Sequence, residues 1–218
     1  MPESVVGQVA GAEFESWGVA LDQTFRSHTY LGVQAELLKS RGDRRVGAID
    51  VADTLPPGFA ASGTRQELDY TEKSLLATVN QLLGDEWSLG ASYRVSQARL
   101  RQYWPELAAA AGGAARSDVD ALLHQATLFC LFNHRSGFFA RAEAVWHAQS
   151  NGGYSPALPG DDFWQFNAFA GYRLPHRRAE ITVGVLNLSG RDYRLNPLNL
   201  HAELARERTF VAGLKFFF

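Results

Sequence analysis

Charged and amide side chains recur at alternate positions within otherwise apolar segments of this chain. Arg141 and Glu143 lie in one such segment, and Gln165 and Asn167 lie in another. An extended strand places alternate side chains on one face, so each set predicts a polar stripe opposite an apolar one. Such stripes can line a polar passage that binds or conducts a solute. The candidate lining residues are Arg94, Arg141, Glu143, Gln165, Asn167, Arg173, Glu180 and Lys215. The alternative is a mutually paired polar interior without a specific ligand.

Three further polar residues could support hydrolytic chemistry. Asp161 and Asp162 precede one alternating segment, and His147 lies near the end of the segment before it. A His–Asp arrangement beside a nucleophile is the core of many hydrolases, so a barrel hydrolase is the weaker alternative. The histidines are scattered without helical i, i+4 spacing, and the single cysteine, Cys130, excludes an intrachain disulfide. We therefore expect no enzymatic activity, no cofactor and no bound metal.

Composition narrows the class of protein. The formal net charge is −2 at pH 7, which gives no electrostatic basis for nucleic-acid binding. No stretch approaches the roughly 20 consecutive apolar residues of a membrane helix. Low mean hydropathy does not exclude a membrane location, because the strands of a membrane barrel expose only alternate residues to lipid.

The elements that position these side chains are predicted by period-two alternation. Nine segments show it: Phe14–Phe25, Thr29–Leu38, Leu68–Leu83, Trp87–Gln97, Val119–Phe132, Phe138–Gln149, Phe163–Leu174, Ala179–Leu188 and Phe210–Phe218. Short turns alternate with long connections near 40–66, 104–118, 150–162 and 189–205. Short turns on one side and long loops on the other are typical of outer-membrane barrels. We therefore predict an all-β fold, an antiparallel up-and-down transmembrane β-barrel in the bacterial outer membrane.

The terminal segment carries the clearest signal. Its apolar residues alternate back from an aromatic carboxyl terminus, as the closing strand of a membrane barrel requires. We expect Phe210, Leu214, Phe216 and Phe218 to act as a signal for membrane assembly, with lipid and the barrel-assembly machinery as partners. If this strand ends in the periplasm, the first of nine strands starts outside. Residues 1–218 are therefore expected to be a single region, the C-terminal portion of a larger barrel.

A family resemblance follows from the last two strands. The segment Gly184-Val185-Leu186-Asn187-Leu188-Ser189-Gly190-Arg191-Asp192-Tyr193-Arg194, followed by a loop and the terminal Phe strand, resembles the end of TonB-dependent outer-membrane receptors. The resemblance covers roughly residues 160–218. It implies a receptor or transporter with an upstream plug and a TonB-type energy coupler as partners. A barrel that anchors an upstream periplasmic domain, or exports a polymer, is the alternative.

The predicted orientation of the strands also points to a recognition surface. The loop Arg191–Arg208 would lie on the extracellular side, where loops on a rigid scaffold commonly carry binding. The candidate recognition residues are Asp192, Tyr193, Arg194, Asn196 and His201.

Overall fold

The fold is a single antiparallel sheet. The computed structural model describes residues 12–52, 58–107, 115–175, 178–192 and 207–217. The strands are β1 (Glu13–Thr24), β2 (Thr29–Ala52), β3 (Gly58–Leu83), β4 (Trp87–Tyr103), β5 (Arg116–Asn133), β6 (Phe138–Gly152), β7 (Asp161–Arg173), β8 (Ala179–Leu186) and β9 (Thr209–Phe216). They pair in chain order from β1 to β9. The prediction of an all-β fold with nine antiparallel strands is confirmed.

The described ranges consist of strands, turns and irregular segments. No α-helix occurs in them. Within the same ranges, no helix has the length and apolar character to cross a membrane.

Tight turns connect alternate strand pairs at one end of the sheet, the short-turn end. Gly84 and Gly137 lie in two of these turns with φ of 60° and 99°, a region that glycine enters without steric cost. At Gly137 a Cβ atom would lie 2.3 Å from the carbonyl oxygen of Arg173. That turn therefore requires glycine, because the neighbouring backbone occupies the space of a side chain. The remaining connections lie at the opposite end, the long-loop end.

The predicted long connection at 40–66 is wrong. β2 continues to Ala52 and β3 begins at Gly58, so most of this stretch is an antiparallel ladder. Both faces of the extension carry polar residues, which removes the apolar–polar alternation that marks a half-buried strand. Backbone pairing along the ladder holds it instead. Exposed cross-strand ion pairs accompany this pairing: Arg41 lies 3.6 Å from Asp69, and Arg65 lies 3.3 Å from Asp43.

The two faces of the sheet differ in character. The outer face, as we name it, carries an apolar belt formed by Trp17, Val19, Leu21, Leu31, Val33, Leu75, Val79, Leu89, Leu128, Phe166, Ile181, Val183, Phe210 and Leu214, all exposed. The inner face is more buried by its neighbours. On β7 the contrast is direct, because Phe166 on the outer face is 45% exposed whereas Phe163 on the inner face is 3% exposed.

Phenylalanine–glycine pairs fill part of the inner face. Phe129 is in register with Gly90, and Phe139 with Gly171. A Cβ atom on either glycine would lie within 2.3 Å of the partner ring. Each ring therefore lies over the glycine of the neighbouring strand and covers backbone that no side chain protects. This is the cross-strand arrangement in which an aromatic compensates for a glycine.

The two edges of the sheet are open within the described residues. β1 pairs only with β2, and β9 pairs only with β8. The sheet is therefore not closed, and a closed barrel is not confirmed. Both edge strands are exposed on nearly all their residues, since each has a neighbour on one side only.

Candidate functional site on the inner face

A hydrogen-bonded polar network occupies the inner face of β6, β7 and the end of β8. Asn167 lies at its centre and is only 7% exposed. Its side-chain oxygen accepts hydrogen bonds from Gln165 Nε2 at 3.1 Å and from the backbone N–H of Asn187 at 3.0 Å. Its Nδ2 donates to Glu143 Oε2 at 3.2 Å. Arg141 donates to the other oxygen of Glu143 at 2.7 Å. The structure thus brings together four of the predicted lining residues.

Asn187 joins this network to the chain after β8. Its backbone has φ of 51°, a left-handed conformation that asparagine tolerates better than most residues. Its Nδ2 donates to the carbonyl oxygen of Arg191 at 2.8 Å, and its Oδ1 accepts from Ser189 Oγ at 3.1 Å. Asn187 therefore closes a turn and also fixes Asn167 through its backbone N–H. The sequence marked this residue but not its hydrogen-bond role.

The network continues toward the long-loop end. Arg191 donates to Asp161 at 2.9 Å, and its guanidinium lies 5.3 Å from the centre of the Phe163 ring. Phe163 in turn stacks on His147, with ring centroids 5.0 Å apart. His147 Nδ1 lies 3.3 Å from the side-chain nitrogen of Gln125.

These contacts separate the three residues of the hydrolase alternative. Asp161 pairs with Arg191 on the inner face, whereas Asp162 accepts a hydrogen bond from Trp146 Nε1 at 2.6 Å on the outer face. His147 is engaged with Gln125. The two adjacent aspartates therefore point to opposite sides of the sheet, as alternation along a strand requires.

A second inner-face cluster lies at the short-turn end. Arg173 donates to Glu180 at 2.8 Å and to the Asn133 side chain at 2.8 Å, and it lies 4.4 Å from the centre of the Phe139 ring. Two predicted lining residues thus pair with each other. Lys215 is in register with Glu180, but its ammonium group lies over the Phe217 ring at 4.9 Å.

The remaining predicted residues are placed as follows. Arg94 lies on the inner face of β4, in register with Leu76 and Gln125. Asp192 is exposed at the end of a described range. Phe210, Leu214 and Phe216 lie exposed on the outer face of β9. Tyr193, Arg194, Asn196, His201 and Phe218 lie outside the described residues.

An apolar cluster that the sequence did not indicate lies on the inner face beyond the belt. It consists of Leu68, Tyr70, Leu100, Val119 and Ala121, with Tyr154 of the β6–β7 connection packed against it. The Tyr70 hydroxyl donates to Glu72 at 2.8 Å. Burial, reinforced by the charge of Asp120, raises the pKa of Tyr154 to about 12. The only feature of the sequence that bears on this cluster is the Tyr-x-Glu spacing of Tyr70 and Glu72, which places both side chains on one face of the strand.

The outer face of the same extension is charged. Arg99 donates two hydrogen bonds to Asp118, the Nε bond at 2.7 Å, and Arg101 lies 3.5 Å from the same carboxylate. Hydrogen bonding to Arg99 is the largest cause that holds the pKa of Asp118 below its usual value, although partial burial opposes it.

Comparison with known proteins adds no relative. No family model matches the chain, and neither a curated protein nor a solved structure matches it. In the described part of the chain, no group of three or more histidine, cysteine or acidic side chains is placed to hold a metal ion. The likeness to TonB-dependent receptors therefore stays a prediction based on the last two strands.

Proposed function

We propose that this chain contributes to an outer-membrane β-barrel that binds or moves a solute through a polar interior. One observation carries the proposal, namely the contrast between an exposed apolar belt and an opposite face whose polar groups are hydrogen-bonded to one another. Exposed apolar patches of this extent are rare on soluble monomers and mark contact with a membrane or a partner. Lipid suits the belt because it runs continuously from β1 to β9.

The dimensions of the belt support a membrane location. On β6, Phe138 and Trp146 lie on the outer face eight residues apart, and on β7 the same spacing separates Trp164 from Tyr172. Eight residues of strand span about 26 Å, close to the roughly 25 Å apolar band between the aromatic girdles of membrane barrels. Trp146 also has its polar edge bonded to Asp162, as amphipathic aromatics at an interface require.

The inner face supports the binding or passage of a polar solute. Its carboxylate, guanidinium and amide groups lie within reach of one another, and groups that line a pore of this kind tune its selectivity. On this proposal, lipid surrounds the belt and the barrel-assembly machinery recognises the terminal strand. An upstream plug and a TonB-type energy coupler complete the receptor.

The native cysteine provides a test of the membrane location. Cys130 lies on the outer face in register with Leu89 and Ala142, and it is the only cysteine in the chain. In bilayers, the full-length protein is expected to react at Cys130 with a lipid-soluble maleimide but not with a membrane-impermeant one. The matched control carries Cys130→Ala and Thr127→Cys, which moves the thiol to the inner face, and it should react with the impermeant reagent. Equal labelling of Cys130 by the impermeant reagent would refute the membrane location.

A second measurement tests the solute path. Replacing Glu143 and Arg141 by glutamine removes an inner-face ion pair that is 2.7 Å long. The double variant is expected to insert normally and to show altered charge preference in solute flux or solute binding by the reconstituted protein. If the wild-type protein inserts normally but shows neither solute flux nor solute binding, the receptor role is rejected and the anchor alternative is favoured.

A further inference from the structure

A group of cations borders the apolar belt on the outer face, toward the long-loop end. Lys39 and Arg99 flank Thr71 in the register of β2, β3 and β4, and Lys73 lies two residues from Thr71 on the same face. Cross-strand neighbours lie about 5 Å apart at Cβ, and same-face neighbours on one strand lie about 7 Å apart. Three cationic groups and a hydroxyl therefore surround one point on the surface.

A hollow marks this point. Its volume is about 260 Å³, and its lining includes Thr71, Lys73, Gln97, Arg99 and Arg101, with Asp69 as its one acidic member. We call it the cationic hollow. The belt residue Leu75 follows Lys73 on the same face of β3, so the hollow directly adjoins the apolar surface.

Two of the acidic residues near the hollow are already paired with arginines. Asp118 accepts from Arg99 and also lies near Arg101, and Asp69 pairs with Arg41. Two more carboxylates are in register with members of the group: Asp120 with Arg99, and Glu15 with Lys39.

Glu15 also accepts a hydrogen bond from Trp17 Nε1 at 2.6 Å. Within the described chain, neither Lys39 nor Lys73 forms an ion pair. Among the described cations of this group, Lys39 and Lys73 are thus the two without an ion-pair partner, and Lys73 lies next to the belt residue Leu75.

We infer that the cationic hollow and Lys39 bind the phosphate of a lipid headgroup whose acyl chains lie on the belt. Lysine and arginine beside an apolar surface lay their stems along it and hold their charges at the interface, where anionic headgroups attract them. A lipid suits both surfaces at once, because one molecule supplies a phosphate and hydrocarbon. A free phosphate would use only the hollow. The inference rests on the proposed membrane location.

The test measures lipid retention by the full-length protein. Protein reconstituted in phosphatidylcholine vesicles with and without phosphatidic acid is extracted in mild detergent, and the lipid that copurifies is quantified by mass spectrometry. The wild type is expected to retain phosphatidic acid in preference to phosphatidylcholine. In the double variant Lys39→Gln with Lys73→Gln, the preference for phosphatidic acid over phosphatidylcholine is expected to fall about 10- to 30-fold.

The matched control is Arg45→Gln with Arg65→Gln. Arg45 and Arg65 are in register with each other on the same strands and face as Lys39 and Lys73, and the double substitution removes the same charge about 20–26 Å farther from the belt along the strands. The control is expected to retain phosphatidic acid like the wild type. Equal loss in both double variants would mean that only overall charge matters and would overturn the inference.

Two further arms separate the remaining outcomes. Inorganic phosphate at millimolar concentration should not displace the lipid, and full displacement would assign the hollow to a free anion and reject the lipid. If the wild type inserts, as judged by Cys130 labelling, but shows no preference for phosphatidic acid, only the lipid site is wrong. If it does not insert, the proposed function and the lipid site both fail.

Discussion

At the scale of single residues, the inner face depends on glycines that admit aromatic rings. Gly171 is the clearest case, because a Cβ atom there would lie 2.3 Å from the Phe139 ring and 2.4 Å from the Ile181 carbonyl oxygen. Phe139 also supports Arg173 through a cation–π contact. The position therefore couples strand packing to the polar cluster that contains Glu180.

Gly171→Ala is expected to destabilise the protein by about 1–3 kcal/mol, because the added methyl group overpacks a site bounded by a ring and a backbone carbonyl. Gly213→Ala is the matched control, since a Cβ atom there would have nothing within 4 Å. Denaturant unfolding of the full-length protein measures both changes. Equal stability of the two variants would contradict the packing described for Phe139.

The partly buried phenol of Tyr154 predicts a pH effect. Its pKa is raised to about 12 by burial and by Asp120, so the contact between the β6–β7 connection and the inner apolar cluster favours the neutral phenol. The contribution to stability is complete below the unfolded pKa near 10 and is lost as the pH rises through about 12. Tyrosinate absorbance should show a component that titrates near pH 12. Tyr154→Phe should remove this component and Tyr70→Phe should retain it; persistence in Tyr154→Phe would refute the assignment.

At the scale of elements, alternation decides which substitutions a strand tolerates. Val183 and Thr182 are adjacent on β8 but lie on opposite faces, in register with Ala170 and Gly171 respectively. Under the proposed function, Val183 faces lipid and Thr182 faces the polar interior.

Val183→Arg is therefore expected to cost about 2–4 kcal/mol and to reduce membrane assembly, because it places a charge in the apolar band. Thr182→Arg introduces the same side chain one residue away and should cost much less. The readout is the amount of folded protein in the membrane fraction. A larger defect for Thr182→Arg would reverse the assignment of the two faces.

The β2–β3 pair shows which part of a strand the sequence pattern predicts and which part it misses. The alternation in 29–38 and 68–83 predicted two strands correctly, but the ladder extends to Ala52 and Gly58. Over 39–45 and 64–67 both faces carry polar residues, and strand structure there depends on backbone pairing, with exposed cross-strand pairs such as Arg65–Asp43 alongside it. A hydrophobic pattern reveals a strand only where one face is apolar and the other is polar, and this segment lacks that contrast.

At the scale of the whole molecule, the direction of the strands limits how the sheet can close. Antiparallel pairing from β1 to β9 makes the two edge strands run in the same direction. Pairing them directly would create a parallel ladder. Antiparallel closure requires an odd number of additional strands between them, and open edges in lipid would leave backbone groups unsatisfied at several kcal/mol each.

Residues 1–218 expressed alone are therefore expected not to form a heat-modifiable, protease-resistant monomer in detergent. Gel mobility before and after heating, together with limited proteolysis, measures this directly. A stable, heat-modifiable monomer would show that β1 and β9 are satisfied within the chain and would contradict the open sheet.

The sequence by itself determined the strand class, most strand positions and the polar face, because alternation is a local property of each segment. It placed Arg141, Glu143, Gln165 and Asn167 on one face without any knowledge of the partner strands. Only the tertiary structure decided which of these groups meet. The bonds from Asn167 to Glu143 and Asn187 depend on the register between three strands, and turns and packing across the whole sheet set that register. The tertiary structure also decided which described strands form the open edges, because an edge strand is one that has a neighbouring strand on one side only.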